Sequence, residues 1–280
     1  MTEPHSVEST RSKADELAIL DGGDVELKGR VLPASNLTFF GQVTRGGQSV
    51  RCVYKPISGE RPLWDFPDGT LAGREVAAYV VSEALGWDVV PLTVLREGPV
   101  GVGMVQIWRD PDPRQSPIDI VPVRQPTPGF LHVLDAVDGN DEPVSLVHED
   151  SEPLRRMAVF DVLVNNADRK GGHVLAMVGG HRYGVDHGVS FHVQNKLRTV
   201  LWGWADQPLH PQDARTVADF AAAIGATPVD SPGNETLVRL RELLAEEEID
   251  ALRARCRALL TGGQMPLPSG DWPAIPWPAF

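Results

Sequence analysis

The sequence predicts an α+β protein of two lobes, with a β-rich first half and an α-rich second half joined by one proline-rich linker. Three observations carry this reading. In the first half, β-rich apolar runs flank turn signals such as Arg45-Gly46-Gly47-Gln48, and Gly-Gly between two such runs marks a hairpin. Residues 109–129 are dense in proline and charge, as expected of a linker or surface insertion. Beyond them apolar residues recur at helical spacing, most densely over Glu152–Asn165. Strands first and helices afterwards make an α+β arrangement.

Taken in order, residues 1–20 are polar and read as a flexible N-terminus with a short helix over Ser12–Leu20. The first lobe spans 21–108. It contains strands over Val25–Leu32, Leu37–Thr44 and Ser49–Tyr54, then a Pro/Gly-rich loop from Pro56 to Gly69. A helix over Leu71–Leu85 follows, with Val76, Val80 and Ala84 on one face and Gly86 as its stop. Val89–Leu95 and Met104–Trp108 read as two further strands. The second lobe spans 130–262 and turns helical directly after the linker. Glu152–Asn165 is apolar nearly all round and is therefore a buried helix. Ser151 or Asp150 caps it, and Pro153 is tolerated in its first turn. Two short strands, His173–Val178 and His181–Val185, flank Gly179-Gly180, and Pro211–Ala223 and Asn234–Leu260 are helical. The tail, 263–280, is rich in proline and tryptophan and irregular, with Trp272 and Trp277 expected to pack on the second lobe.

Charge narrows the function. A formal net charge of −12 over 280 residues repels phosphate backbones, so no nucleic-acid partner is expected. No apolar run is long enough to cross a bilayer, and the polar start lacks the apolar core of a secretion signal. No stable membrane insertion and a cytoplasmic location are expected. Cys52 and Cys256 lie far apart and form no metal spacing.

The chemistry-bearing residues concentrate in one stretch. The buried helix ends in Asn165-Asn166-Ala-Asp168-Arg169-Lys170-Gly-Gly-His173, and the second short strand ends in Val185-Asp186-His187-Gly188-Val-Ser-Phe. Singly, Asn-x-Asp and Asp-x-Gly are ordinary turn formers. Together, at the ends of apolar elements, they supply what phosphoryl transfer requires: one carboxylate for the attacking group, a second for a divalent cation, and nearby positive charge.

These two stretches resemble the catalytic and metal-binding loops of the atypical kinases, namely the phosphatidylinositol 3-/4-kinases with their Asp-Arg-His-x-x-Asn loop, and the HipA-type kinases. The nearest resemblance is to an actinobacterial branch related to phosphatidylinositol kinases. It covers 157–191 by motif and 25–108 by element order, and leaves the tail unmatched. The resemblance implies a two-lobed protein-kinase-like fold and an ATP- and divalent-metal-dependent phosphotransferase, using Mg²⁺ or Mn²⁺ and an unidentified small-molecule, lipid or protein acceptor. It implies Asp168 as the catalytic aspartate, Arg169 as support of the loop, and Asp186 as principal metal ligand. The family's asparagine, five residues after the aspartate, falls on His173. Imidazole suits Mn²⁺ better than Mg²⁺, and Asn166 is a further candidate ligand.

For the nucleotide, the same resemblance implies Lys55, at the end of a hydrophobic strand, on the phosphates and paired with Glu75 of the following helix. Ser35 and Asn36 would meet the phosphates from the loop between the first two strands, and Met104 and Ile107 would face adenine. Two alternatives stay open: a nucleotide-binding pseudokinase or AMP-transferring enzyme on the same fold, and a metal-dependent hydrolase built on the cluster His173, His181, His187 and His192.

Overall fold

A computed structural model describes residues 11–32, 36–61, 63, 66, 70–123, 125, 127–225, 234–270 and 272–280. The chain is mixed α+β with antiparallel sheets and divides into two compact units. One comprises Met1–Gly59 and Leu92–Trp108, the other Glu60–Pro91 and Arg109–Phe280. The helix over 71–84, grouped above with the N-terminal strands, therefore belongs to the second unit.

In the first unit, α1 (Lys13–Gly22) starts where the Ser12 hydroxyl accepts the Asp15 amide at 3.1 Å. Strands β1 (Asp24–Arg30), β2 (Phe39–Arg45), β3 (Gln48–Pro56), β4 (Thr93–Gly98) and β5 (Gly101–Ile107) form one antiparallel sheet in the order β1-β2-β3-β5-β4. The β2–β3 turn places Gly46 at φ 57° and Gly47 at φ 76°, left-handed angles that suit a two-residue hairpin loop. On β3 the residues Val50, Cys52 and Tyr54 point inward on one face, and α1 covers this sheet through Ile19 and Leu20. Thr93–Gly98 starts later than the strand expected at Val89–Leu95, because Pro91 has no N–H for a ladder and the apolar run Val89–Leu92 is buried by packing instead.

In the second unit, α2 (Leu71–Ala84) is capped twice. The Thr70 hydroxyl accepts the Gly73 amide at 2.8 Å, and the Glu60 carboxylate accepts the Leu71 and Ala72 amides at 3.0 and 2.8 Å. An anion at a helix N-terminus also suits its dipole. Residues 72–82 of α2 are all buried, and Gly86 closes the helix at φ 64°.

Residues 118–149, which span the end of the expected linker and the start of the second lobe expected to turn helical, hold a three-stranded sheet. It consists of β6 (Ile118–Pro122), β7 (Phe130–Val137) and β8 (Pro143–Glu149), in the order β6-β8-β7. Of the prolines in the expected linker, Pro122 sits where a sheet tolerates it, at the end of the edge strand β6; beyond the linker, Pro143 is the first residue of β8. β8 is central, so Ser145, Leu146, Val147 and His148 are buried consecutively and the alternation that marks a half-exposed strand is missing.

Then α3 (Glu152–Val164) begins at Ser151, with Pro153 in its first turn, and buries Leu154, Met157, Phe160 and Leu163 completely. Each such side chain contributes up to about 1.5–3 kcal/mol, which makes α3 a rigid support for whatever follows it. Strands β9 (Val174–Ala176) and β10 (Arg182–Gly184) form a short hairpin around Gly179 and Gly180. Helices α4 (Pro211–Gly225), α5 (Glu235–Leu243) and α6 (Glu246–Gly262) complete the unit, with α2 against α5 and α4 against α6. Among the described residues no helix is long and apolar enough to cross a membrane.

Candidate active site

The loop carrying Asp168 hangs from the C-terminus of α3. Asn165 ends the helix in the left-handed conformation, φ 55° and ψ 52°, which asparagine tolerates better than most residues. Its buried carboxamide fixes the turn: Nδ2 donates to the carbonyls of His192 (2.9 Å) and Gln194 (2.6 Å), and Oδ1 accepts the Lys196 amide at 2.9 Å.

A charged pair locks the next turn. Asp161 is the one carboxylate on the buried face of α3, and Arg169 reaches it through Nε and Nη2 at 2.9 Å each, with both side chains fully enclosed. Arg169 Nη1 also donates to the carbonyls of His173 and Val185, at 3.2 Å each. Arg169 Nη2 donates to His187 Nε2 at 2.6 Å, which makes that nitrogen the unprotonated one of the ring. One guanidinium thus ties together α3, the Asp168 loop and the strand leading to Asp186.

Asn166, considered above as a metal ligand, braces the loop. Its Nδ2 donates to Asp161 and its Oδ1 accepts the Asp168 amide, both at 3.0 Å, in a fully buried position. A second chain segment runs alongside: the Arg198 amide donates to Asn166, the Arg169 amide to Arg198, and the Val200 amide to Arg169, at 3.0–3.1 Å.

Asp186 follows β10 at φ 64°. Next to it the His187 amide donates to Glu75 Oε2 at 2.9 Å, so the buried Glu75 of α2 holds the backbone of the Asp186 loop. His173 lies between the two aspartates. Its Nδ1 meets the Asp168 carbonyl at 2.9 Å and therefore carries a proton, since a carbonyl only accepts. Its Nε2 stands 3.5 Å from Asp186 Oδ2. Burial holds the imidazole below its usual pKa, opposed by the charges of Asp186 and Asp168 and reinforced by Arg169. In the neutral ring a nitrogen lone pair faces a carboxylate, an arrangement that a shared cation relieves. Lys170 Nζ lies 3.4 Å from Asp168 Oδ2, where both side chains are partly exposed.

Asp168, Arg169, His173, Asp186, Asn166 and Glu75 thus meet in the second unit. Lys55, Asn36, Met104 and Ile107 lie in the first: Lys55 is opposite Met104 in the β3–β5 ladder, Met104 and Ile107 are buried, and the Asn36 carbonyl accepts the Thr38 hydroxyl at 3.3 Å. Ser35 lies outside the described residues. Among the described residues, no three His, Cys, Asp or Glu side chains form a group able to hold a metal. The four histidines have separate partners: His181 meets the Asp88 carbonyl, His192 packs on Phe66, and His187 on Phe160. Sequence reasoning missed Asp161, although a carboxylate inside the apolar run Met157–Val164 was a usable signal.

No family model matches the chain. It is 51% identical, over 275 residues covering 95% of this chain and 96% of the relative, to Protein Rv2133c of Mycobacterium tuberculosis (strain ATCC 25618 / H37Rv).

Proposed function

We propose that this chain, which belongs to the same family as Protein Rv2133c, is an ATP- and divalent-metal-dependent phosphotransferase of the atypical kinase type, two-lobed, cytoplasmic, and acting on an unidentified acceptor. The observation that carries the reading is the pair His173 Nε2 and Asp186 Oδ2, 3.5 Å apart, beside Asp168 on a loop that Arg169 makes rigid.

The donor set fits the implied cation. An imidazole nitrogen and a carboxylate oxygen this close would together hold a small divalent cation. A cation of this class takes few protein ligands and completes its shell with phosphate oxygens and water. Imidazole in the set favours Mn²⁺ over Mg²⁺. When bound, nucleotide and cation supply the transferable phosphoryl group and offset its charge.

The chain's own residues then have distinct tasks. Asp186 and His173 would hold the cation. Asp168 orients the acceptor hydroxyl and takes its proton. Arg169, Asp161 and Asn166 touch no reactant and act as positioning residues. Lys55 is assigned by resemblance to the nucleotide phosphates.

A second reading draws on Asn166, whose amide is committed on both ends and so contributes less to a metal than the family pattern implies. It is a nucleotide-binding module that transfers nothing.

Thermal denaturation with ATP plus Mg²⁺ or Mn²⁺ tests the proposal. At ligand about 100-fold above Kd the wild type gains roughly 2.7 kcal/mol, and Asp186→Ala loses the metal-dependent part. Lys55→Ala weakens the nucleotide-dependent part. Consumption of ATP that Asp168→Asn abolishes supports transfer, and intact-mass analysis of the product separates phosphoryl from AMP transfer. Stabilisation without consumption selects the second reading. No stabilisation by any nucleotide–metal pair rejects both.

A further inference from the structure

The irregular tail is anchored where the candidate site is built. Lys196 Nζ stands 4.7 Å from the centre of the Trp272 ring. The Ala274 carbonyl accepts both the Thr199 amide (3.1 Å) and the Trp202 indole N–H (2.8 Å). The Ala279 carbonyl accepts the Gly171 amide at 2.8 Å. The Phe280 ring lies against Gly171 so closely that a β-carbon there would stand 2.6 Å from its Cδ1 and 2.9 Å from its Cζ. Trp277, by contrast, is 89% exposed and takes no part.

These anchors fall on two segments. Lys196 and Thr199 belong to the strip that pairs with Asn166 and Arg169, and Gly171 opens the single 3₁₀ turn, Gly171–His173, that carries the histidine of the cation pair. The tail therefore grips the Asp168–His173 loop through Gly171 and the strip beside it through Lys196, Thr199 and Trp202. Gly171 cannot shift without losing its hydrogen bond to Ala279 or its contact with Phe280, and a shift of Gly171 moves His173 relative to Asp186.

We propose that residues 272–280 form an intramolecular strap that positions His173 for cation binding, with Ala279 and Phe280 as the positioning residues. The inference rests on the cation reading given above. It also explains why position 171 is glycine although the turn needs no left-handed angle there: the ring occupies the space of a side chain.

Hydrogen–deuterium exchange on the full chain tests the strap without reference to activity. In Phe280→Ala, peptides spanning 168–173 exchange about tenfold faster while those of α3 and α6 keep the wild-type rate. Trp277→Ala leaves both unchanged. Titration with Mn²⁺ alone then tests the link to the site. Phe280→Ala and Gly171→Ala each weaken Mn²⁺ binding by about tenfold, the size expected when a partner that orients a metal ligand is removed. The double variant binds better than Gly171→Ala, because the added methyl group enters the space the ring has left. Unchanged exchange at 168–173 in Phe280→Ala overturns the strap, whatever the wild type does with Mn²⁺. Faster exchange with undiminished Mn²⁺ affinity overturns its positioning role. Faster exchange in a protein whose wild type binds no Mn²⁺ overturns the cation reading, and with it the positioning of a ligand, while the mechanical grip stands.

Discussion

Arg169 and Asp161 are joined by two parallel hydrogen bonds of 2.9 Å in a position that neither side chain shares with solvent. A charge pair in such a place is strongly asymmetric in its energetics. Forming it recovers little beyond the desolvation cost, but removing one partner leaves an uncompensated charge.

Asp161→Ala should therefore destabilise the protein by roughly 3–5 kcal/mol, more than the double variant Asp161→Ala/Arg169→Met, which buries no orphan charge. Urea denaturation of the two variants checks this. Equal losses in both would mean that the pair contributes through packing alone.

Asn165 offers a second test, because its backbone angle and its side-chain bonds can be separated. Asn165→Gly keeps the left-handed turn and loses three hydrogen bonds, which should cost roughly 1–3 kcal/mol. Asn165→Ala should cost about 1–2 kcal/mol more, since alanine resists that conformation. Chemical denaturation ranks the two, and an alanine variant as stable as the glycine one would contradict the backbone argument.

A pH dependence follows from His148, which is fully buried on β8. Its Nδ1 donates to the Glu149 carbonyl at 3.0 Å and its Nε2 accepts the Gly203 amide at 2.9 Å, so a second ring proton would confront an N–H donor. Burial holds this imidazole below its ordinary value of 6.5. Between the folded and unfolded pKa values the unfolded chain binds more protons, so unfolding free energy rises with pH in that window. The contribution is complete above pH 6.5 and is lost as the pH falls below it. His173, displaced in the same direction, adds to the effect. Wild-type stability should decline from pH 7 to pH 5, and His148→Gln should show a flatter profile.

The two cysteines should be inert in the folded protein. Burial raises the thiols of Cys52 and Cys256 to about 11 each, far from the thiolate that reacts. A thiol reagent at pH 8 should label neither without denaturant and both in it. Rapid native labelling of Cys256 would indicate that α6 opens locally.

Much of this framework was legible from residue order. The apolar periodicity of 152–165, the Gly-Gly turns and the glycine after α2 each reflect a local constraint that the chain carries with it. β8 escaped because a central strand buried on both sides has no alternation to detect, and β6 because Pro122 looks the same in a linker as at a sheet margin. Within the site, Asp168, His173 and Asp186 stood out as reactive types beside turns. What Asp161, Glu75 and Phe280 contact was not legible, since each meets its partner through folding: Asp161 across two turns of chain, Glu75 and Phe280 from more than a hundred residues away.

The backbone passes from one compact unit to the other three times, after Gly59, Pro91 and Trp108. Neither unit is thus encoded by one uninterrupted stretch. A fragment ending at Trp108 would carry α2 without α5 and α6, leaving Arg74 without Glu248 and the face of α2 that packs on α5 without its cover. The complementary fragment would carry α5 without α2. Splitting this polypeptide after Trp108 should yield two insoluble pieces that regain solubility when expressed together.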